Sequence, residues 1–134
     1  MIEIDNHHWV SAKIGAETYK TTLETDVHTL ISDEPMDAGG RDLGPAPGDL
    51  LRMSLASCTA ITLRMYANRK NMDVKQIEVK VSTEKVEDKT IFHMTIHIDG
   101  NIDDAQRKRM LQIGTACPIH KILTNPIEVS GQLI

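Results

Sequence analysis

Residues 49–70 read DLLRMSLASCTAITLRMYANRK, with no glycine or proline inside the stretch. Leu51, Leu55, Cys58, Ile61 or Thr62, and Met65 recur at helical spacing and trace one apolar stripe. The other side carries Met53, Ala56, Ala60, Leu63 and Ala67, so no face is properly polar. A helix that is apolar on most sides is a buried one. The spacing therefore predicts a central helix around which the remaining elements pack, with Cys58 in its middle, on the stripe.

Upstream, residues 33–48 hold Gly39, Gly40, Gly44, Gly48, Pro45 and Pro47, a density that marks a loop. Loops of this length are commonly functional. Before it, residues 8–14, 19–25 and 27–32 alternate between short turns and predict a three-stranded meander. Downstream, Ile77, Val79 and Val81 alternate with Glu78, Lys80 and Ser82. After a turn at 87–89, Phe92, Met94, Ile96 and Ile98 alternate with His93, Thr95, His97 and Asp99. This is a hairpin with one wet face. Asp103 is placed to cap a helix running to about Thr115. A short helix follows from Pro118 to Leu123, and residues 127–133 read as a closing strand. Strands, then a helix, then a hairpin and more helices make an α+β fold with antiparallel sheets.

The 134 residues fit a single domain spanning 1–134, long enough to form a core without disulfides or metals as staples. Aromatics are few (Trp9, Tyr19, Tyr66, Phe92), so the core rests on aliphatic residues and methionine. A net charge of −4 opposes binding to a phosphate backbone. The basic run Arg107-Lys108-Arg109 is the pattern of a solvated helix face. Met1-Ile2-Glu3-Ile4-Asp5 lacks the basic and apolar pattern of a secretion leader, and no apolar run approaches the ~18–20 residues of a membrane span. The expectation is a soluble, cytoplasmic protein with neither nucleic acid nor membrane as a partner.

In a reducing compartment, two cysteines are more often catalytic, metal-binding or simply buried than a permanent staple. Cys58, on the apolar stripe, also reads as a small core hydrophobe. Cys117 precedes Pro118, and proline favours the first position of a helix, which puts Cys117 at the N-cap. There the helix dipole favours an anion and lowers a thiol's pKa. His120 falls in the same first turn, where it can orient the thiol or share its proton, or stand exposed. Two cysteines and a histidine could hold zinc. However, the cysteines are far apart in sequence, and His7, His8, His28, His93 and His97 show no convergent spacing, so no metal site is expected.

The segment GPAPGDLLRMSLASCTAITLRMYA, residues 44–67, resembles the signature of the OsmC/Ohr family. In that signature a Gly/Pro-rich loop leads through Pro-x-acidic-Leu-Leu into a long helix carrying a cysteine. ACPIHKIL, residues 116–123, resembles the family's second-cysteine motif, half a chain downstream. The resemblance implies an OsmC-like fold, with antiparallel sheets around a long buried central helix, in an interlocked homodimer. Its active sites would lie at the subunit interface, with two cysteines on neighbouring helices beneath an apolar pocket, here Leu51, Leu55 and Met65.

The same resemblance implies a thiol peroxidase that reduces organic hydroperoxides. Cys58 would be the peroxidatic thiolate and Cys117 the resolving thiol, passing through a Cys58 sulfenate and a Cys58–Cys117 disulfide. An external dithiol protein, of lipoyl type in the family, would restore the pair, with no resident cofactor. Two features depart from the pattern. The family's peroxidases pair the thiolate with an arginine from the N-terminal strands, held by a glutamate, whereas this chain has no arginine before Arg41. Its acid is Asp49, about half a turn round the helix from Cys58. The candidates for activating the thiolate are Arg41, Asp49, Arg52 and His120; Arg52 and Arg64 both lie off the Cys58 stripe. The helix-cap argument favours Cys117 as the more acidic thiol, and the resemblance assigns attack to Cys58. The missing arginine leaves a second reading open: a non-enzymatic module that binds an apolar small molecule or senses redox state.

Overall fold

The computed structural model describes residues 8–134; the leader reading of Met1–Asp5 and His7 fall outside the described residues. These form two compact units, one ending at Leu51 and the other running Arg52–Ile134. The architecture is α+β with antiparallel sheets.

In the first unit, β1 (Ser11–Ile14), β2 (Thr21–Glu24) and β3 (Thr29–Ser32) make the expected meander, with Ala12 opposite Leu23 and Leu23 opposite Leu30. The Gly/Pro-rich loop that follows is well organised. The buried Asp33 carboxylate accepts backbone N–H bonds from Glu34 at 2.7 Å, Arg41 at 3.3 Å and Leu43 at 3.2 Å. The Ser32 hydroxyl donates to the Pro45 carbonyl at 2.8 Å. A side chain on Gly44 would collide with the Ile31 carbonyl, which explains glycine at this close approach. Gly39, at φ 90, ends a 3-10 turn at Met36–Ala38.

Helix α1 spans Pro47–Arg69. Proline at its start suits the first helical position, and the Asp49 carboxylate accepts the Ala46 N–H at 3.1 Å. The hairpin β4 (Val74–Val86) and β5 (Lys89–Gly100) pairs Ile77 with Ile98, Val79 with Ile96 and Val81 with Met94. Each of these pairs puts apolar side chains on the same, inner face. The turn at Glu87-Asp88 sets Glu87 at φ 54, matching the tight two-residue connections that favour left-handed backbone. Helix α2 (Asp104–Gly114) begins in a full capping box: Asp103 accepts from the Gln106 N–H at 2.7 Å, and the Gln106 side chain accepts from the Asp103 N–H at 2.9 Å. Arg107 ties α2 to β5 by donating to the carbonyls of Ile98 and Gly100. Helix α3 is Pro118–Leu123, with Cys117 at its N-cap.

Two expectations need correction. Residues 127–133 do not form a strand. Val129 and Leu133 are almost fully exposed, because an extended segment needs a paired edge for its backbone and no described strand pairs with this one. The helix is also not covered on every side. Its buried residues are Leu55, Cys58, Thr59, Leu63, Tyr66 and Ala67, while Leu51, Met53, Ile61 and Met65 are 44–53% exposed. The buried face therefore runs through Thr59, Leu63 and Tyr66 rather than Ile61 and Met65. A sequence with no polar side gives no periodic signal to fix the helix's rotation. The inner face of the hairpin and α2 fix it instead, in a core of Leu63, Tyr66, Ala67, Val74, Ile98 and Met110.

Candidate functional site

The helix geometry that buries Leu63 and Ala67 also turns Cys58, one turn earlier, toward the start of α3. There it meets Cys117. The two free thiols share a small apolar cluster with Leu55, against which Val81, Phe92, Met94, Ile119 and Leu123 pack. Cys58 is 5% exposed and Cys117 is fully covered. Pro118 starts α3 and places Cys117 at its N-cap, yet the Cys117 side chain makes no capping hydrogen bond. It packs with Cys58 and Leu55 instead.

Burial pushes the Cys58 thiol above its ordinary pKa, and its neighbour Cys117 pushes the same way. Two groups act in the opposite direction: the backbone N–H of Ile119, in the first turn of α3, and the Thr62 side chain. The amide is notable because it reconciles the two sequence arguments. The N-terminal end of α3, expected to act on Cys117, also presents an N–H to Cys58, so the favourable end of that helix serves the other sulfur. Within Arg52–Ile134, desolvation still outweighs these donors, and no guanidinium acts on the thiol.

The activating candidates each have contacts within their own unit. Arg41 belongs to the first unit, where it approaches Glu17 at 3.8 Å. Asp49 caps the start of α1. Arg52 donates to the Thr83 hydroxyl at 3.2 Å. His120 is half-buried, and its backbone carbonyl accepts from the Thr124 N–H and hydroxyl. Neither Arg52 nor His120 is among the groups acting on Cys58. Of the pocket residues, Leu55 packs on the thiols, Leu51 is half-exposed in the first turn of α1, and Met65 lines a neighbouring cleft. This cleft, of about 130 Å³, is lined by Thr62, Met65, Tyr66 and Arg69 of α1, facing Ile113, Ala116 and Pro118. His93, on the exposed face of β5, bonds Glu84 at 2.7 Å. Among the described residues no group of three or more His, Cys, Asp or Glu side chains could hold a metal ion, and no helix is long and apolar enough to cross a membrane.

The sequence reading missed two of the groups on Cys58. Thr62 stood only as an alternative stripe position, although its spacing of four from Cys58 is the signal that places it one turn along the same face. The Ile119 amide carries no side-chain signal at all. Thr62→Val keeps the shape and removes the donor, so the thiol's pKa will rise further. Alkylation of Cys58, read by mass spectrometry, will slow several-fold at neutral pH, and its pH profile will move upward. A profile identical to wild type would take Thr62 out of the site.

Comparison with known proteins gives a consistent picture. Residues 39–131 match the family described as OsmC-like protein. No curated protein matches the chain. A structure from Psychrobacter arcticus 273-4, provisionally described as an osmotic stress induced and detoxification response protein, is 21% identical. It aligns over 90% of this chain and 91% of its own, with a TM-score of 0.73. An OsmC-like protein from Mycoplasma pneumoniae is 18% identical over 90% of this chain and 89% of its own, at a TM-score of 0.69. The organic hydroperoxide resistance protein OhrB of Bacillus subtilis is 21% identical over 88% and 90%, at a TM-score of 0.60. At these identities the likeness establishes a shared fold.

Proposed function

This chain belongs to the OsmC-like protein family, and from that membership we propose that it is a thiol peroxidase that reduces organic hydroperoxides. The observation that carries the reading is the pair of buried, free thiols packed in one cluster from the middle of α1 and the N-cap of α3. A peroxidatic cysteine needs a second thiol within reach, because a sulfenic acid left alone oxidises further and irreversibly. The surroundings fit an organic substrate: the cluster around the sulfurs and the adjoining cleft are mostly apolar. Structural neighbours include a protein named for organic hydroperoxide resistance.

In this reading the Cys58 thiolate attacks one peroxide oxygen. The O–O bond breaks as an S–O bond forms, and the departing alkoxide takes up a proton to leave as the alcohol. Cys58 is now a sulfenic acid. Cys117 attacks its sulfur, an S–S bond forms, and the hydroxyl leaves as water. A dithiol reductant then returns both cysteines to thiols through a mixed disulfide. With Cys117 fully covered and Cys58 nearly so, the reductant must present its dithiol on a slender arm, which fits a lipoyl-type group. No resident cofactor enters the cycle, and a reducing compartment such as the cytoplasm keeps the resting pair open.

The attacking thiol has to ionise, and within one copy burial opposes this. The reading therefore includes the homodimer: a second copy laid on the exposed apolar side of α1, at Ile61 and Met65, would bring charge toward Cys58 and cover that surface. The raised Cys58 pKa also favours the alternative, a binding or redox-sensing module without turnover.

Mixing reduced protein with cumene hydroperoxide and then counting free thiols distinguishes them. The peroxidase loses two thiols per hydroperoxide consumed and turns over when a dithiol is supplied. Consumption no faster than that of a free thiol in solution would rule out the enzyme.

A further inference from the structure

The hairpin of β4 and β5 covers the thiols, and its two ends are held in different ways. Near Gly100 it is seated by packing: Val74 and Ile98 belong to the core with Leu63, Ala67 and Met110, and Arg107 of α2 bonds the Ile98 and Gly100 carbonyls. Midway along, Val81, Phe92 and Met94 pack over Cys58 and Cys117. Beyond them every residue from Ser82 to Thr90 is exposed, so packing does not anchor the outer end. There Thr83 shares the inner face with Val81, two residues earlier, and stands opposite Phe92. Its hydroxyl accepts a hydrogen bond from the Arg52 guanidinium at 3.2 Å. Arg52 lies seven positions before the buried Thr59, two turns back along the hairpin-facing side of α1. Ile61, nine positions on from Arg52, is about half a turn round, so this bond is clear of the side of α1 given to the second copy.

We propose that the Arg52–Thr83 hydrogen bond is a latch, and that the outer half of the hairpin is a flap over the thiol pair. Cys58 is 5% exposed and Cys117 is fully covered, so neither sulfur meets a large reagent unless part of the cover lifts. The seated end resists, because lifting it would return buried apolar surface to water. The outer end yields more readily: an exposed hydrogen bond is exchanged for bonds to water at small net cost. The hairpin therefore hinges near Gly100 and opens at Thr83, and raising Val81 and Phe92 uncovers the sulfurs. Arg52, one of the candidates for activating Cys58, is on this account a positioning residue for the cover. Its part in turnover rests on the peroxidase reading, in which the large reactant admitted is the dithiol reductant. The latch itself depends only on the thiols being covered.

The test is the rate at which Cys58 of the reduced protein is labelled by biotin-maleimide, a bulky thiol reagent, read by mass spectrometry. Arg52→Met keeps the length of the side chain and removes its donors; Thr83→Val keeps the shape and removes the acceptor. Each should speed labelling about tenfold, the worth of one hydrogen bond to a charged group. The double variant should be no faster than either single one, because both changes break the same bond. Arg107→Met, at the seated end of the same hairpin, is the control for general loosening and should leave the rate within about twofold of wild type. Wild-type rates in both single variants, accelerations that multiply in the double variant, or an equal acceleration in Arg107→Met would each overturn the latch. Turnover of cumene hydroperoxide is followed separately. If turnover is absent the peroxidase reading falls, and the labelling still decides the latch. If turnover is present and labelling is unchanged, the latch falls and the peroxidase stands.

Discussion

Cys58→Ser should abolish hydroperoxide reduction, lowering kcat/KM by roughly 10³-fold or more, as removal of a nucleophile does. The change exchanges one sulfur for one oxygen at a 5% exposed position, so the helix and its packing persist while the attacking atom is gone. Cys117→Ser should behave differently. Its first encounter with peroxide should proceed, leaving Cys58 as a sulfenic acid that mass spectrometry detects as one added oxygen, and turnover should stop there. With excess peroxide the mass should climb by further oxygens, because no neighbouring thiol condenses with the intermediate. If instead Cys117→Ser alone blocks the first oxidation, Cys117 is the attacking thiol and the roles reverse. The Ile119 amide and the Thr62 side chain act to lower the Cys58 pKa, although burial outweighs them.

The second large effect is on stability. Leu63 is fully buried in the core with Met110, Val74 and Ile98, and Leu63→Ala should cost about 3–4 kcal/mol from lost transfer energy and the cavity left behind. Leu111, on α2 but 61% exposed, is the matched control, and Leu111→Ala should change stability by less than about 1 kcal/mol. Urea denaturation followed by circular dichroism checks both. Similar midpoints for the two variants would show that the core is not seated where Leu63 places it.

Much of this arrangement could be read from the residues. Asp103 with Gln106 three positions on, and Cys117 immediately before Pro118, are local chemical signals that fix helix starts without reference to the rest of the chain, and both hold. The hairpin followed from alternation alone. What sequence could not supply was rotation and pairing. A helix with apolar residues all round does not declare which face is inside, so Thr59, Leu63 and Tyr66 were indistinguishable from Ile61 and Met65. The alternation of residues 127–133 says that they could be a strand, but not whether an edge waits for them. For the site, two cysteines in family-like motifs pointed to one pair, and α1 and α3 bring them together. Arg41, Asp49 and Arg52 follow from the family's arginine–acid pattern and His120 from its place in the turn after Cys117, and neither pattern fixes where a side chain points. The groups that do act on Cys58 include a backbone amide, which no side-chain pattern can announce.

The start of α3 carries a trade-off. An N-cap is normally filled by a residue whose oxygen satisfies a free amide, and leaving the position without such a bond costs about 1 kcal/mol. Cys117 forgoes that bond, on a helix only six residues long. A serine there could make it. Cys117→Ser therefore combines two opposing effects, a better-anchored helix and a lost thiol, and a gain in melting temperature with a loss of turnover would reveal both at once. A short helix left under-capped at the one position where sulfur meets sulfur puts reactivity ahead of local stability.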